Sequence, residues 1–430
     1  MSEINLNQPF RLVPTIQNYL WGRVGRDSII YSLIAPEYRE TMGDNKRFAE
    51  LWYGAYPAFS SMASQGGAEY NLHELIAKYP DEMLGATVAK RFGGQLPFLF
   101  KVLSIDKPLS IQSHPDKRTA SRLHVQSPQH YRDSNHKPEM IVALTPTEVL
   151  YGFRRLEDIR RNINNVPELR NILTSSQVFS MQKMMSFSDA EEVSAIEYIY
   201  RGLYSARSRA VERYCRDLFL RVEDMGLEEL TPEYNWILKL RPVFPDGDVG
   251  VFAFFIHNLI SLNVGEVLYV EPNTVHSYLG GEVLEFSASS DNTIRGGLTG
   301  KFLDKESLLN SINYNSFFDK GMTSARYDAG EGGVKSFVTP SQEFKVRCVE
   351  VAGAGAGSNN RSAEVGLIIE KDLRRGTPVL MFCLKGCSTF CVGNRGYSLA
   401  KGEACFLPAG MERFEPGGEA NVTYYVSVPM

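Results

Sequence analysis

A chain of 430 residues, 43% of them hydrophobic, has the make-up of a globular protein with room for two or three compact units, and not of a disordered one. A formal net charge of -4 with no Lys/Arg-dense run argues against a nucleic-acid surface, so a phosphorylated ligand would need a local basic pocket. The longest apolar stretch, residues 249–262, is too short for a bilayer and is broken by His257 and Asn258, and residues 1–7 carry neither a basic region nor an apolar core; no membrane contact, no signal peptide and a cytoplasmic location are expected.

In chain order, Asn71 is a candidate cap for a helix over residues 72–84, which makes His73 a surface residue of its first turn. Residues 96–104 and 108–117 alternate apolar and polar positions and predict two strands joined by a turn at Asp106-Lys107-Pro108. On the second strand Ser110, Gln112 and His114 share one face, while Leu109 and Ile111 point to the other. Alternate side chains stand roughly 6–7 Å apart along a strand, so a tilted Gln and His can converge on one ion. Residues 131–141 then bring a carboxylate, Glu139, to the entry of an apolar run.

From about residue 156 to 230 Gly and Pro nearly vanish and apolar residues recur at three- and four-residue steps, as in Ile196, Ile199, Tyr200 and Leu203 and again in Val211, Tyr214, Cys215, Leu218 and Phe219. This predicts a helical insert. Arg207, Arg209, Arg213 and Arg216 on it are interleaved with acidic residues and read as a solvated face. Strands return at residues 262–270 and 282–287, and His276 follows a Pro-Asn turn between them. Gln112, His114, Glu139 and His276 would form a mixed N/O set for one divalent ion, but spacing alone does not join three distant segments. His124, His130 and His257 have no partner pattern.

Residues 265–272, Gly-Glu then a strand and Pro, resemble a cupin, a double-sheet jelly roll, and residues 399–410 repeat the pattern without a histidine after Pro408. A second, metal-free cupin-like unit is therefore expected at the C-terminal end. Residues 382–393 read as strand–turn–strand with the bend at Gly386, and the six cysteines, Cys215, Cys348, Cys383, Cys387, Cys391 and Cys405, lack paired CxxC spacing and read as buried free thiols. The glycine-rich stretch 351–358 has no Lys-Ser/Thr ending and reads as a loop. The expected architecture is mainly β with a helical insert: a discontinuous cupin-type jelly-roll catalytic domain over 1–153 and 236–322, the insert over 154–235, and a C-terminal cupin-like domain over 323–430.

The stretch LPFLFKVLSIDKPLSIQSHPDK, the motif NHKPEM and the segment HSYLGGEVLEFSASSDNTIRGGLTGKF closely resemble, in this order, the type I mannose-6-phosphate isomerases, the zinc-dependent phosphomannose isomerases. Further matches are Tyr19-Leu20-Trp21-Gly22 and Ala49-Glu50-Leu51-Trp52-Tyr53-Gly54; the likeness runs with gaps from about residue 10 to about 320. It implies one zinc ion per chain on the residues matching Gln112, His114, Glu139 and His276, a catalytic role at Arg295, and a phosphosugar substrate. It also implies mannose 6-phosphate and fructose 6-phosphate interconverted through an enediol, a place in carbohydrate metabolism and GDP-mannose biosynthesis, and a monomer or weak oligomer. The chain departs from the family pattern at Leu20, Tyr53, Tyr56, Gly296 and Gly300, where Asp, Met, His, Ala and Pro are usual; these touch loop shape and substrate affinity, and no ligand or catalytic Arg is lost.

A divalent ion held by two neutral imidazoles, an amide and one carboxylate keeps net positive charge, which suits oxyanion development during proton transfer. Arg295, at an expected turn entering a glycine pair, can fork two hydrogen bonds onto substrate oxygens. Glu285, sharing a strand face with Val283 and Ser287, is favoured as the proton carrier because apolar neighbours would raise its pKa; Lys137, or a relay through His136 or Asp291, is the rival. Ser110, Lys101 and Lys301 are expected at the phosphate, with Asp291 and Tyr278 completing the substrate contacts. An Fe(II) cupin oxygenase and a non-catalytic sugar-binding cupin are the competing readings; Gln112 as a fourth ligand argues against the first, Arg295 and Glu285 against the second.

Overall fold

The computed structural model describes residues 4–183, 188–316, 327–329, 334–351, 376–411, 414–416 and 421–429. Its organising element is the strand His276–Ala288. The first part of this strand pairs with Thr147–Phe153, and the second part lies between Phe98–Ile105 and Glu139–Ala143. His276 itself sits opposite Gln112 of the short strand Ile111–Ser113, and all these pairings are antiparallel within a ten-stranded sheet.

A slip in register on the long strand decides which side chains face the interior. Gly280 pairs with Glu148 and Tyr278 with Val149, so Leu279 is an extra residue, and Gly281 at φ +105° completes the irregularity. A Cβ on Gly281 would lie 2.4 Å from Thr147 Oγ1, so only glycine lets the chains approach here. One inserted residue sends every later side chain to the opposite face. Even-numbered His276 and Tyr278 therefore share an interior with odd-numbered Val283 and Glu285; Tyr278 and Val283 belong to one buried cluster with Leu103, Ile141 and Tyr151.

The second sheet has eleven strands and joins both ends of the chain. Phe10–Val13 pairs with Ala404–Leu407 on one side and with Met62–Gln65 on the other, so strands from residues 10–71 lie in the same sheet as the C-terminal unit. The two sheets share a core in which Phe100 stacks on Phe286 at 5.0 Å and packs on Phe382 at 4.9 Å. Each such buried Phe contributes roughly 1.5–3 kcal/mol, so this seam fixes one sheet against the other.

The insert is helical, as the spacing predicts: Leu156–Asn165, Pro167–Ile172, Ser175–Lys183, Asp189–Tyr204, Ser208–Glu223 and Pro232–Leu240. Pro167 and Pro232 open their helices, Thr231 accepts from the Tyr234 N–H, and Ser188 forms a capping box with Glu191. Ile196, Ile199, Tyr200 and Leu203 are buried, and Arg207, Arg209, Arg213 and Arg216 are exposed. The helices run to Leu240, past the expected limit at 235. Among the described residues no helix is long and apolar enough to cross a membrane.

Several local expectations need correction. The helix over 72–84 is two, Leu72–Lys78 and Pro80–Leu84, because Tyr79 leaves the helical region (φ -133°, ψ 58°) ahead of Pro80. The strand over 108–117 shrinks to Ile111–Ser113, because Asp116 caps a helix, Lys117–Gln126, by accepting from the Thr119 N–H. That strand does not pair with Phe98–Ile105; it pairs with His276 and with Ile294–Gly297, which puts Arg295 on a strand and not at a turn. Residues 379–392 form one continuous strand in which Gly386 lies past a bulge at Cys383–Lys385, and Cys391 is exposed on it. Cys387 is half-buried and the other four cysteines are buried; none of the six is in a disulfide. The glycine-rich stretch beyond Val351 lies outside the described residues.

Candidate metal centre and its cavity

The register brings the dispersed ligands together. His276 Nε2 lies 3.2 Å from Glu139 Oε1, and His114 Nε2 lies 3.2 Å from Glu139 Oε2. Donor atoms of the three residues all fall within 4.8 Å of one another, and all three side chains are buried. Gln112 Nε2 approaches His276 Nε2 at 3.4 Å, while its Oε1 accepts from Ser110 Oγ at 3.1 Å.

Backbone carbonyls fix both imidazoles. His114 Nδ1 contacts the Asn292 carbonyl at 2.7 Å and His276 Nδ1 contacts the Thr274 carbonyl at 3.0 Å. A carbonyl only accepts, so each Nδ1 carries the proton and each Nε2 offers its lone pair to the centre. Burial, aided by the Lys137 charge, pushes the His114 pKa down to about 4, keeping it neutral and ready to ligate. Burial would raise Glu139, but the Lys137 charge at 2.8 Å holds it well below the usual carboxylate range. Lys137, in turn, is raised against its burial by Glu139 and Glu285. Two imidazoles facing a carboxylate, with their outer nitrogens already engaged, fit a zinc ion. Gln112 completes the set if its amide makes a half-turn, which leaves its NH2 for Ser110 to accept.

An outer network supports this cluster. Asn273, at φ 67°, donates its N–H to the His114 carbonyl at 2.7 Å and its Nδ2 to Asp116 at 2.8 Å, locking the turn before His276 to the segment after His114. Asp133 accepts from Ser290 Oγ, Asn292 Nδ2, the Asp291 N–H and Tyr56 Oη, and so holds the loop whose Asn292 carbonyl orients His114. Neither Asp133 nor Asn273 stands out in the sequence, since their roles depend on backbone groups remote in the chain.

The cluster lies at one wall of a cavity of about 740 Å³, into which Gln112, Lys137, Glu285, Lys101, Asp291 and Arg295 all project. Lys101, Glu285 and Trp52 sit side by side across three strands, because Lys101 pairs with Glu285 on one flank and with Trp52 on the other. Lys101 Nζ is 3.2 Å from Glu285 and 3.9 Å from the Trp52 ring centre, and Lys137 Nζ is 3.5 Å from Glu285. The apolar setting expected for Glu285 is thus corrected: two ammonium groups flank it. Glu50, beside Trp52, also lines the cavity; burial raises its pKa, with the Glu285 charge adding and Lys101 opposing, and Trp52 Nε1 donates to it.

Ser110, Arg295 and Lys301 line the same cavity, with Arg295 paired to Gln112 on the adjoining strand. The guanidinium of Arg295 has no ion pair or hydrogen bond among the described residues; Asp291 influences it without contacting it, and burial lowers its pKa. Lys301 Nζ lies 4.6 Å from the Tyr19 ring centre, and burial followed by Arg295 lowers its pKa. Tyr278 is corrected: it is fully buried and its hydroxyl donates to Glu139, so it sits behind the ligand and off the cavity wall. Of the departures, Leu20 is 82% exposed at the rim, Tyr53 donates to the Gly402 carbonyl at 2.9 Å across the two sheets, and Gly300 has open space around it.

Residues 9–156 match the family model described as phosphomannose isomerase type I, catalytic domain. The chain is similar to mannose-6-phosphate isomerase from Homo sapiens, 35% identical over 353 residues, covering 80% of this chain and 82% of that protein. It is likewise similar to mannose-6-phosphate isomerase 1 from Arabidopsis thaliana, 31% identical over 405 residues, covering 94% and 90%. The fold superimposes on a zinc-bound crystal structure of mannose 6-phosphate isomerase with a TM-score of 0.78 at 26% identity, covering 98% of this chain and 100% of the other.

Proposed function

The chain belongs to the type I phosphomannose isomerases, and we propose on that premise that its cavity binds mannose 6-phosphate with the reacting carbons beside His114, Glu139 and His276. It is a zinc-dependent aldose–ketose isomerase that interconverts mannose 6-phosphate and fructose 6-phosphate by moving a proton between C1 and C2 through an enediol. Zinc, when bound, supplies positive charge near the substrate oxygens without redox chemistry. Gln112, His114, Glu139 and His276 would hold it. The observation that carries this reading is the buried His–Glu–His cluster beside a cavity that the cations Arg295 and Lys301 line, neither with an ion pair among the described residues.

Glu285 is the carboxylate best placed to take the C2 proton and return it to C1. Its flanking ammonium groups, Lys101 at 3.2 Å and Lys137 at 3.5 Å, can hydrogen-bond the hydroxyls as their protons shift from O2 to O1. This moves Lys101 from the phosphate, where the sequence suggested it, to the reacting end, since its charge is already matched by Glu285. Lys301 and Ser110 remain for the phosphate. Arg295, with no carboxylate partner among the described residues, is available to fork onto the oxygens where negative charge develops. A cytoplasmic monomer or weak oligomer feeding GDP-mannose biosynthesis is the setting we infer from the family.

A coupled assay tests the reading: fructose 6-phosphate should form from mannose 6-phosphate, and unphosphorylated mannose should turn over poorly. Equal turnover of mannose and mannose 6-phosphate would remove the phosphate roles, and no isomerisation of either in the zinc-loaded protein would remove the function.

A further inference from the structure

Arg295 is aimed by its backbone alone, because its guanidinium has no protein partner among the described residues. It sits on Ile294–Gly297, where Arg295 pairs with Gln112 and Gly297 with Ile111, leaving Gly296 as the extra residue of a bulge. Bulges beside active sites re-aim a side chain, so whatever supports Gly296 sets where Arg295 enters the cavity. The segment is braced from several sides. The Arg295 carbonyl accepts from the Asp304 N–H at 3.3 Å, and Asp248 Oδ1 accepts from the Leu298 N–H at 2.7 Å.

The floor beneath Gly296 comes from the helical insert. A Cβ placed there would lie 2.7 Å from Tyr204 Oη and 2.4 Å from Leu308 Cδ2, so both side chains already fill the space a larger residue would need. Tyr204 is the last residue of the helix Asp189–Tyr204 and is buried. Its hydroxyl belongs to a buried relay: Tyr204 Oη to Tyr200 Oη at 3.2 Å, Tyr200 Oη to His257 Nε2 at 3.1 Å, and His257 Nδ1 to the Gly152 carbonyl at 2.9 Å.

The direction of that relay follows from its end. The Gly152 carbonyl only accepts, so His257 Nδ1 carries the proton; burial pushes the His257 pKa down to about 4, so Nε2 is bare and accepts from Tyr200. Tyr200, having donated its proton, accepts from Tyr204. The Tyr204 O–H is therefore turned away from Gly296, and its oxygen is held against the bulge by a chain anchored in the strand that ends at Phe153.

We propose that Tyr204 is a positioning residue for the isomerase reaction: held by Tyr200 and His257, it supports the bulge at Gly296 and so fixes the aim of Arg295. The insert thereby acts on chemistry without touching substrate. This inference rests on the catalytic reading of Arg295 given above.

The test is steady-state kinetics and zinc content for Tyr204→Phe, Gly296→Ala and their combination, with Arg295→Ala alongside. Tyr204→Phe should lower kcat by about tenfold with KM and zinc unchanged, since misplacing a reacting group by about 1 Å can cost about a hundredfold. Gly296→Ala should lower kcat further, and adding Tyr204→Phe should recover part of that loss by removing the hydroxyl its Cβ meets. A merely structural Tyr204 would lower Tm and leave kcat of the folded protein within about twofold of the parent; that result overturns the inference, as does a double variant no better than Gly296→Ala. Arg295→Ala separates the two readings. If it loses kcat while Tyr204→Phe does not, only the positioning claim fails; if it keeps kcat, the catalytic reading of Arg295 falls and the positioning claim falls with it.

Discussion

The two jelly-roll units contain the same turn and put it to different use. Gly265 at φ 84° and Gly402 at φ 86° both precede a glutamate that folds back on the turn: Glu266 accepts from the Asn263 N–H at 2.7 Å, and Glu403 accepts from the Ala400 N–H at 2.8 Å. Each then leads into a four-residue buried strand, Val267–Val270 or Ala404–Leu407, with a proline close behind. After Pro272 the chain continues with Asn273, which locks onto Asp116, and then His276. After Pro408 come Ala409 and Met411, both buried, and the surrounding interior is Met381, Cys405, Leu407, Phe414 and Tyr425. One interior is filled with ionisable groups and the other with apolar ones. The difference teaches that the scaffold is repeated and that the chemistry depends on the residues placed after the turn.

The comparison breaks most severely at the ligands. His276→Ala or His114→Ala should leave purified protein without zinc by metal analysis and without measurable isomerase activity, a larger loss than the roughly 10–100-fold typical of outer-shell changes. Asp133→Ala, which reaches the centre through the Asn292 loop, should fall within that smaller range in zinc affinity. Arg295→Ala should keep its zinc and lose kcat on the order of a hundredfold, as when an oxyanion donor is removed, and Arg295→Lys should not restore it.

The C-terminal interior should respond in stability alone. Met411→Ala should cost about 2–5 kcal/mol in chemical denaturation, with zinc content and kcat of the folded protein unchanged. A fall in kcat there would mean that the apolar unit does more than support the seam between the sheets.

A smaller effect concerns His257, outside both units' interiors. Its folded-state pKa of about 4 lies below the ordinary histidine value of 6.5, so the unfolded chain binds the proton more readily. Its neutral, buried form contributes full stability above pH 6.5, and that stability is lost as pH falls from there towards 4. The span corresponds to about 3 kcal/mol as an order of magnitude. A folded His257→Gln variant should show a flatter stability profile across this window than the parent.

Much of this site was legible before the structure. The alternation of Ser110, Gln112 and His114, the carboxylate at Glu139 and the histidine after the Pro-Asn turn are local patterns, and family resemblance joined them. Helical spacing in the insert was equally plain, because a 3.6-residue period needs no knowledge of neighbours. What escaped is non-local. The extra residue at Leu279 changes which face Glu285 shares with His276, and no period in the sequence announces it. The pairing of Phe10–Val13 with Ala404–Leu407 joins segments nearly the whole chain apart. The sequence reading puts Tyr278 among the substrate contacts, whereas its hydroxyl donates to Glu139 in the interior.

The central claim is that one zinc ion, on the cluster at His114, Glu139 and His276, makes this cavity an isomerase. Metal-stripped protein titrated with zinc, with activity on mannose 6-phosphate followed at each addition, tests it most directly. The account predicts activity rising with zinc and levelling at one ion per chain; full activity before any zinc is added, or a rise that continues well past one equivalent, would contradict it.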